Sequence, residues 1–244
     1  MATPFKLSDD PSQRDLVGFA VMYTMSFAVI ATSELMRRFC GVPSHITRKI
    51  IHVGAGLCVL FVISLFDHWQ YAIIPHTSFI VVNAAVRRWK ILKSMEPPNA
   101  KSWGTVYFCI SVSSLFFLVC AKTYNDGLKW TVPQYVYLTG IMAMTLGDAF
   151  AAIIGERFGK RRHYVPVDQE SNATSCKTYE GSAACFVAIF LGTLMVGWIC
   201  SVDAWADAFV CATVGTFFEA ISPWGTDNLT VPFSVCSVMY AVRM

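Results

Sequence analysis

Five short stretches of this 244-residue chain gather the residue types that handle phosphate and metal. They are Arg48-Lys49-Ile50-Ile51-His52; Lys101-Ser102-Trp103-Gly104-Thr105-Val106-Tyr107; the run 147–160, from Gly147-Asp148 to Gly159-Lys160; Lys177-Thr178-Tyr179-Glu180-Gly181-Ser182; and Glu219 with Asp227-Asn228. Spacings of three and four place Arg48, Lys49 and His52 on neighbouring helix faces, where cations can clamp an anion. Arg48 and Lys49 also suit an ordinary basic helix flank; His52, followed by Gly54 and Gly56, suits that less well. Gly147, Ala151, Gly155 and Gly159 recur every four residues and form a smooth ridge for a close-lying ligand or another helix. Asp148 stands beside that ridge. Lys177 can neutralise phosphate, and Glu180, one turn on, can bind metal or hold Lys177; the plain alternative is an exposed ion pair of well under about 1 kcal/mol. Glu219, Asp227 and Asn228 supply hard oxygens, and Mg²⁺ is usually held by one or two carboxylates plus substrate phosphates. Pro-Trp-Gly and Asp-Asn in the same stretch are also turn-forming.

The elements that must position these residues are apolar. The chain is 55% hydrophobic and 14% charged, against about 25% charged for soluble domains. Runs of about 20 apolar residues cross a bilayer as helices, whose backbone groups bond internally. The reading is an all-α, polytopic transmembrane bundle with seven spans at 16–36, 50–66, 69–86, 104–121, 132–154, 182–200 and 202–221. A shorter apolar tail, 229–242, is an eighth span or a re-entrant piece. Residues 1–244 form one integral-membrane domain, with 1–15 as a polar N-terminal tail. So many apolar runs exclude one large soluble core. The first run is too long for a signal-peptide core and lacks a clean small-residue cleavage site. The nine cysteines form no CxxC pair and lie mostly inside the apolar runs, so they read as small hydrophobes.

Charge sets the orientation. Arg37, Arg38, Arg48 and Lys49, then Arg87, Arg88, Lys90, Lys93 and Lys101, then Arg157, Lys160, Arg161, Arg162 and Lys177 fill the first, third and fifth connections. They are fourteen of the 19 basic residues. Cytosolic loops collect Lys and Arg, so all five clusters face the cytosol and the N-terminus is outside or lumenal. The sequons at Asn172 and Asn228 are then expected to stay unglycosylated. Asp148 lies about 24 Å along its span from Val132, in the cytosolic third. A membrane carboxylate costs about 2.5–3.5 kcal/mol at the bilayer centre, which a cation or substrate must offset.

No GxxxxGK[ST], GxGxxG or HExxH occurs, so any nucleotide site is of a membrane-embedded type. Taken in order, Arg48-Lys49-x-x-His52, Gly104-Thr105-Val106-Tyr107, Gly147-Asp148-Ala149-x-Ala151-Ala152-x-x-Gly155-x-x-x-Gly159-Lys160, Lys177-Thr178-x-Glu180-Gly181-Ser182, and Glu219 before Asp227-Asn228-x-Thr230-x-Pro232 resemble the polyprenol kinase superfamily. That group holds phytol and farnesol kinases, dolichol kinases and CTP-dependent diacylglycerol kinases. The small size and the Gly147-Asp148 start look more like the phytol and farnesol branch. The SxxKRxxKD-type signature of the related CDP-diacylglycerol synthases is missing near the C-terminus.

The resemblance implies a kinase that moves the γ-phosphate of CTP to an isoprenoid alcohol such as phytol, farnesol or geranylgeraniol. Diacylglycerol or dolichol is the alternative acceptor. Asp148, Lys177 and Asp227 are the expected catalytic residues. Phosphates are expected on Arg48, Lys49, His52, Gly155, Gly159, Lys160, Thr178, Gly181 and Ser182. Nucleotide-bound Mg²⁺ is expected on Asp148, Glu180, Glu219, Asp227 and Asn228. The partners are then a nucleoside triphosphate, a lipid alcohol and membrane lipids, with no nucleic acid. A transporter is the competing class, but transporters pair repeated halves around a midplane site. Here no repeat is evident and the ionisable residues crowd one face. A scaffold or receptor without chemistry is the third reading.

Overall fold

The computed structural model describes residues 10–89, 91–95, 102–120, 132–163 and 177–243. Among the described residues there are eight α-helices: α1 (Gln13–Phe39), α2 (Ser44–Leu65), α3 (Trp69–Trp89), α4 (Gly104–Leu115), α5 (Val132–Phe158), α6 (Tyr179–Cys200), α7 (Trp205–Ile221) and α8 (Asp227–Arg243). A π-helical turn, Phe116–Cys120, extends α4. Among the described residues the only β-type pairing is one bridge, Arg162 with Thr178.

Every expected span forms a helix, and the tail 229–242 becomes α8. Among the described residues three helices are both long and apolar enough to cross a membrane: Gln13–Phe39, Pro133–Phe158 and Tyr179–Cys200. The count of seven spans does not follow from length and composition. Helices α7 and α8 have 17 residues each, about 25 Å of helix against a hydrocarbon core of about 30 Å.

Two boundaries move from where the hydropathy put them. Helix α2 starts at Ser44, so Arg48, Lys49 and His52 lie in its second and third turns rather than at its opening. The polar tail ends earlier than residue 15. Ser12 caps α1 in a reciprocal capping box with Asp15, and Asp15 is fully buried, accepting from the backbone of Asp67 and His68 and meeting His68 Nδ1 at 2.7 Å. Such a box satisfies two otherwise orphaned helix amides, and here it also fastens α1 to the α2–α3 connection.

Helix α5 is the axis of the bundle. Tyr135, Val136, Tyr137, Leu138, Ile141, Met142 and Met144 are essentially fully buried, as expected of a helix apolar all round. It packs against α2, α6, α7 and α8. The outer helices instead show apolar side chains to their surroundings: Leu16, Val17, Phe27 and Leu35 on α1, Val187 and Leu191 on α6, and Phe209 and Phe217 on α7 are each about half exposed or more. Hydrocarbon outside and close packing inside account for both patterns.

Close backbone approach holds α2 on α5. A Cβ on Gly56 would lie 2.1 Å from Thr145 Oγ1 and 2.3 Å from its Cγ2. Gly56→Ala is therefore expected to cost about 1–3 kcal/mol by overpacking, measured as lowered thermal stability in detergent. Adding Thr145→Ala should recover part of the loss.

Candidate active site

One end of the bundle fixes a common level. Tyr135 near the start of α5 donates to Asp207 Oδ2 at 2.7 Å, and Arg243 at the end of α8 pairs with the same carboxylate at 2.8 Å. From that level α5 runs about 35 Å to Phe158, while α7 runs about 21 Å to Ile221. The α7–α8 turn, 222–226, is therefore sunk below the far end of α5. Asp148, about 20 Å along from Tyr135, lies level with it. Residues from α2, α5, the segment just before α6 and the α7–α8 turn converge at this level, which is a recess in the sense that it lies below the end of α5.

Two ion clusters occupy this recess. Lys49 Nζ meets Asp148 Oδ1 at 2.7 Å and Oδ2 at 2.8 Å. His52 Nε2 stands 3.5 Å from Asp148 Oδ2 and 3.4 Å from the Met144 carbonyl, and its ring lies edge-on to Phe108. In the second cluster Lys177 bridges Glu219 and Asp227, the latter at 3.0 Å. Both carboxylates are buried. Burial works against the charge of Lys177, but Asp227, Glu219 and Asp148 outweigh it and hold the ammonium well above the usual lysine range.

Asn228 continues the second cluster. Its Nδ2 donates to Asp227 Oδ1 at 3.1 Å and to the Gly225 carbonyl at 3.3 Å, while its Oδ1 is buried without a hydrogen-bond partner. Its backbone carbonyl accepts from Ser111 Oγ at 2.5 Å. Arg48 comes close to the same place: a Cβ on Gly104 would lie 3.0 Å from Arg48 Nη2 and 3.1 Å from Asn228 Nδ2. Asn228 itself is 5% exposed, so its sequon is sterically closed on either side of a membrane.

The glycine ridge has a different occupant from a ligand. A Cβ on Gly155 would meet Thr178 Oγ1 at 2.9 Å, one on Gly159 would meet Thr178 Cγ2 at 2.6 Å, and one on Gly181 would meet the Ala151 carbonyl at 2.7 Å. Thr178 also caps α6, accepting from Gly181 N–H at 3.1 Å. Gly155, Gly159, Thr178 and Gly181 thus form a helix–helix joint that sets where α6 begins. Backbone bonds from His163 to the Lys177 carbonyl and from Tyr179 to the Arg161 carbonyl pin the residue just before it. The joint aims Lys177 into the recess.

Besides the expected residues taken up by that joint, three more sit away from the clusters. Glu180 is half-buried on the first turn of α6 and accepts from Arg161 N–H; Lys177 is held by Glu219 and Asp227 instead. Ser182 meets His163 Nε2 at 3.3 Å. Lys160 is exposed beyond the end of α5. Lys101, Lys90 and Asn172 lie outside the described residues. Sequence reasoning missed Phe108, Ser111 and His163. Ser111 had one signal, a hydroxyl inside an apolar run; the others had none.

Arg48, Lys49 and Lys177 balance Asp148, Glu219 and Asp227, so the recess holds equal positive and negative charge. Among the described residues no group of three or more His, Cys, Asp or Glu side chains is arranged to hold a metal alone. The donor set fits a cation that arrives with its own phosphate ligands: Glu219 and Asp227 are hard carboxylates, and the unpartnered Asn228 Oδ1 is a free hard oxygen beside them.

A helical bundle with apolar outward faces, three helices fit to cross a membrane and a cluster of buried charges toward one end favours a membrane protein. A protein named "Phytol kinase" from Synechocystis sp. is 32% identical over 233 residues, covering 92% of this chain and 90% of that one. "Probable phytol kinase 2, chloroplastic" from Oryza sativa subsp. japonica is 24% identical, covering 90% of this chain and 73% of its own. No family model and no solved structure matches the chain. The chain belongs to the phytol kinase family.

Proposed function

We propose that this chain is a multi-pass membrane kinase that transfers the terminal phosphate of a Mg²⁺-bound nucleoside triphosphate to an isoprenoid alcohol, with phytol the first candidate. The names of its relatives support the acceptor class, and the resemblance of its motifs supports CTP as donor. The distribution of Lys and Arg supports a bundle of at least seven crossings with the recess toward the cytosol, where soluble nucleotide arrives. The carrying observation is the meeting of Lys49–Asp148 with Lys177–Glu219–Asp227 at one level of the bundle.

Phosphoryl transfer needs positioning and charge neutralisation more than covalent help. Lys49 and Lys177 neutralise the incoming phosphates, with Arg48 beside them, as they exchange carboxylate partners for phosphate oxygens. Glu219, Asp227 and Asn228 are the residues that hold the metal, which supplies charge stabilisation to the phosphate oxygens when bound. Asp148 has a different task. It faces His52 and, through it, the ring of Phe108, on the apolar side of the site, where a lipid hydroxyl approaches. Asp148 takes the hydroxyl proton, the alcohol oxygen bonds to the γ-phosphorus, and the bond to the bridging oxygen breaks to release nucleoside diphosphate.

Purified protein given a panel of triphosphates and lipid alcohols tests the assignment. Phytol, farnesol or geranylgeraniol should yield a lipid monophosphate, EDTA should stop the reaction, and added Mg²⁺ should restore it. Preference for diacylglycerol or dolichol would move the chain to another branch. Solute flux into vesicles without nucleotide would refute the kinase reading.

A further inference from the structure

The turn that separates Glu219 from Asp227 has an unusual residue at its apex. Thr226 N–H bonds to the Pro223 carbonyl at 2.9 Å, closing a four-residue turn. Its two central residues both have positive φ, +50° at Trp224 and +81° at Gly225. Turns with two positive-φ centres are dominated by Gly, Asn and Asp, and a bulky residue there is a genuine outlier. Among the described residues the other non-glycine residue with positive φ, Ser201, merely closes the end of α6. Strain of this kind collects at ligand sites.

Trp224 is 55% exposed and, among the described residues, has no hydrogen-bond or ring partner. Its neighbour Gly225 is pressed against Ser102 and Gly104, so the turn cannot swing away. The turn that carries the ring adjoins the charged cluster: the Gly225 carbonyl accepts from Asn228 Nδ2 at 3.3 Å, and Gly104, against which Gly225 packs, lies beside Arg48. An exposed tryptophan needs no such backbone: Trp89, Trp198 and Trp205 are more exposed still, on ordinary helical positions.

Building on the kinase reading, we propose that Trp224 is the platform on which the base of the nucleotide stacks, while Lys49, Lys177 and Arg48 hold its phosphates. Every nucleobase has a π-face, so such a platform adds affinity for pyrimidine and purine triphosphates alike. It adds nothing for a phosphate chain without a base.

Direct binding to protein in nanodiscs tests this without requiring turnover. The probes are MgCTP, MgATP and magnesium tripolyphosphate. Asparagine suits the left-handed turn, so Trp224→Asn removes the ring and keeps the backbone. It should raise the Kd of both nucleotides about tenfold and leave tripolyphosphate unchanged; Trp224→Tyr should retain most of the nucleotide affinity. Unchanged nucleotide Kd in Trp224→Asn would overturn the proposal and reduce the ring to a membrane anchor. Equal losses for nucleotides and tripolyphosphate would overturn it too, by showing that the turn's geometry matters rather than the ring. The expected pattern supports the platform even where wild-type protein fails to label phytol, a failure that counts against the kinase reading alone.

Discussion

Asp148→Asn is expected to lower the phosphorylation rate about 10²–10⁴-fold and to leave the protein folded and inserted. Asparagine keeps the shape of the carboxylate and its capacity to meet Lys49 and His52. It loses the charge and the basicity, and removing a positioned proton acceptor typically costs about 10²–10⁴ in rate. Lys49 then lacks its carboxylate, but its side chain is 19% exposed and can turn toward water. Stability therefore falls far less than activity. The check pairs product formation with a thermal melt and nucleotide binding. A variant that still phosphorylates near the parent rate removes Asp148 from the chemistry. One that loses nucleotide affinity in proportion makes it a phosphate or metal site instead.

Lys177→Met has the opposite profile, with a large loss of both stability and activity. Lys177 is the shared counter-ion of two buried acids, Glu219 and Asp227. Removing one member of a buried ion pair costs about 3–5 kcal/mol, because the remaining charge stays buried and uncompensated. Replacing the charges together is often close to neutral. Lys177→Met combined with Glu219→Gln should therefore regain most of the thermal stability, leaving one carboxylate instead of two. It should regain no activity, because the cation that meets the phosphates is still missing. Activity returning with stability would make Lys177 a structural residue only.

Much of this arrangement is legible in the chain itself. The apolar runs locate the helices to within about six residues, the largest miss being the start of α2, and the spacing of basic residues puts Lys49, Asp148, Lys177, Glu219 and Asp227 at one end. What hydropathy misses is depth. It counts apolar residues and not levels, so α7 and α8 read as span and tail, although their common tie at Asp207 makes the turn between them a sunken floor. Pairing is missed for a similar reason. Glu180 lies three residues from Lys177 and is the obvious partner by spacing, whereas Glu219 is 42 residues away and reaches it only because α7 stops short. The glycine ridge fits equally well with ligand approach and helix packing, and only the position of Thr178 distinguishes them. The two positive-φ residues at Trp224 and Gly225 leave a trace in Pro-Trp-Gly as a turn, but no sequence pattern announces that a tryptophan holds the first of them.

The central claim is that acids and cations from α2, α5, the segment just before α6, α7 and α8 act together on a triphosphate and a lipid hydroxyl. Its most direct test gives purified protein phytol and Mg²⁺ with CTP labelled either at the γ- or at the α-phosphate. The account predicts that γ-label appears in a phytyl monophosphate and α-label stays in CDP. Label from the α-position in the lipid, or no lipid label from either position with any triphosphate, would contradict it.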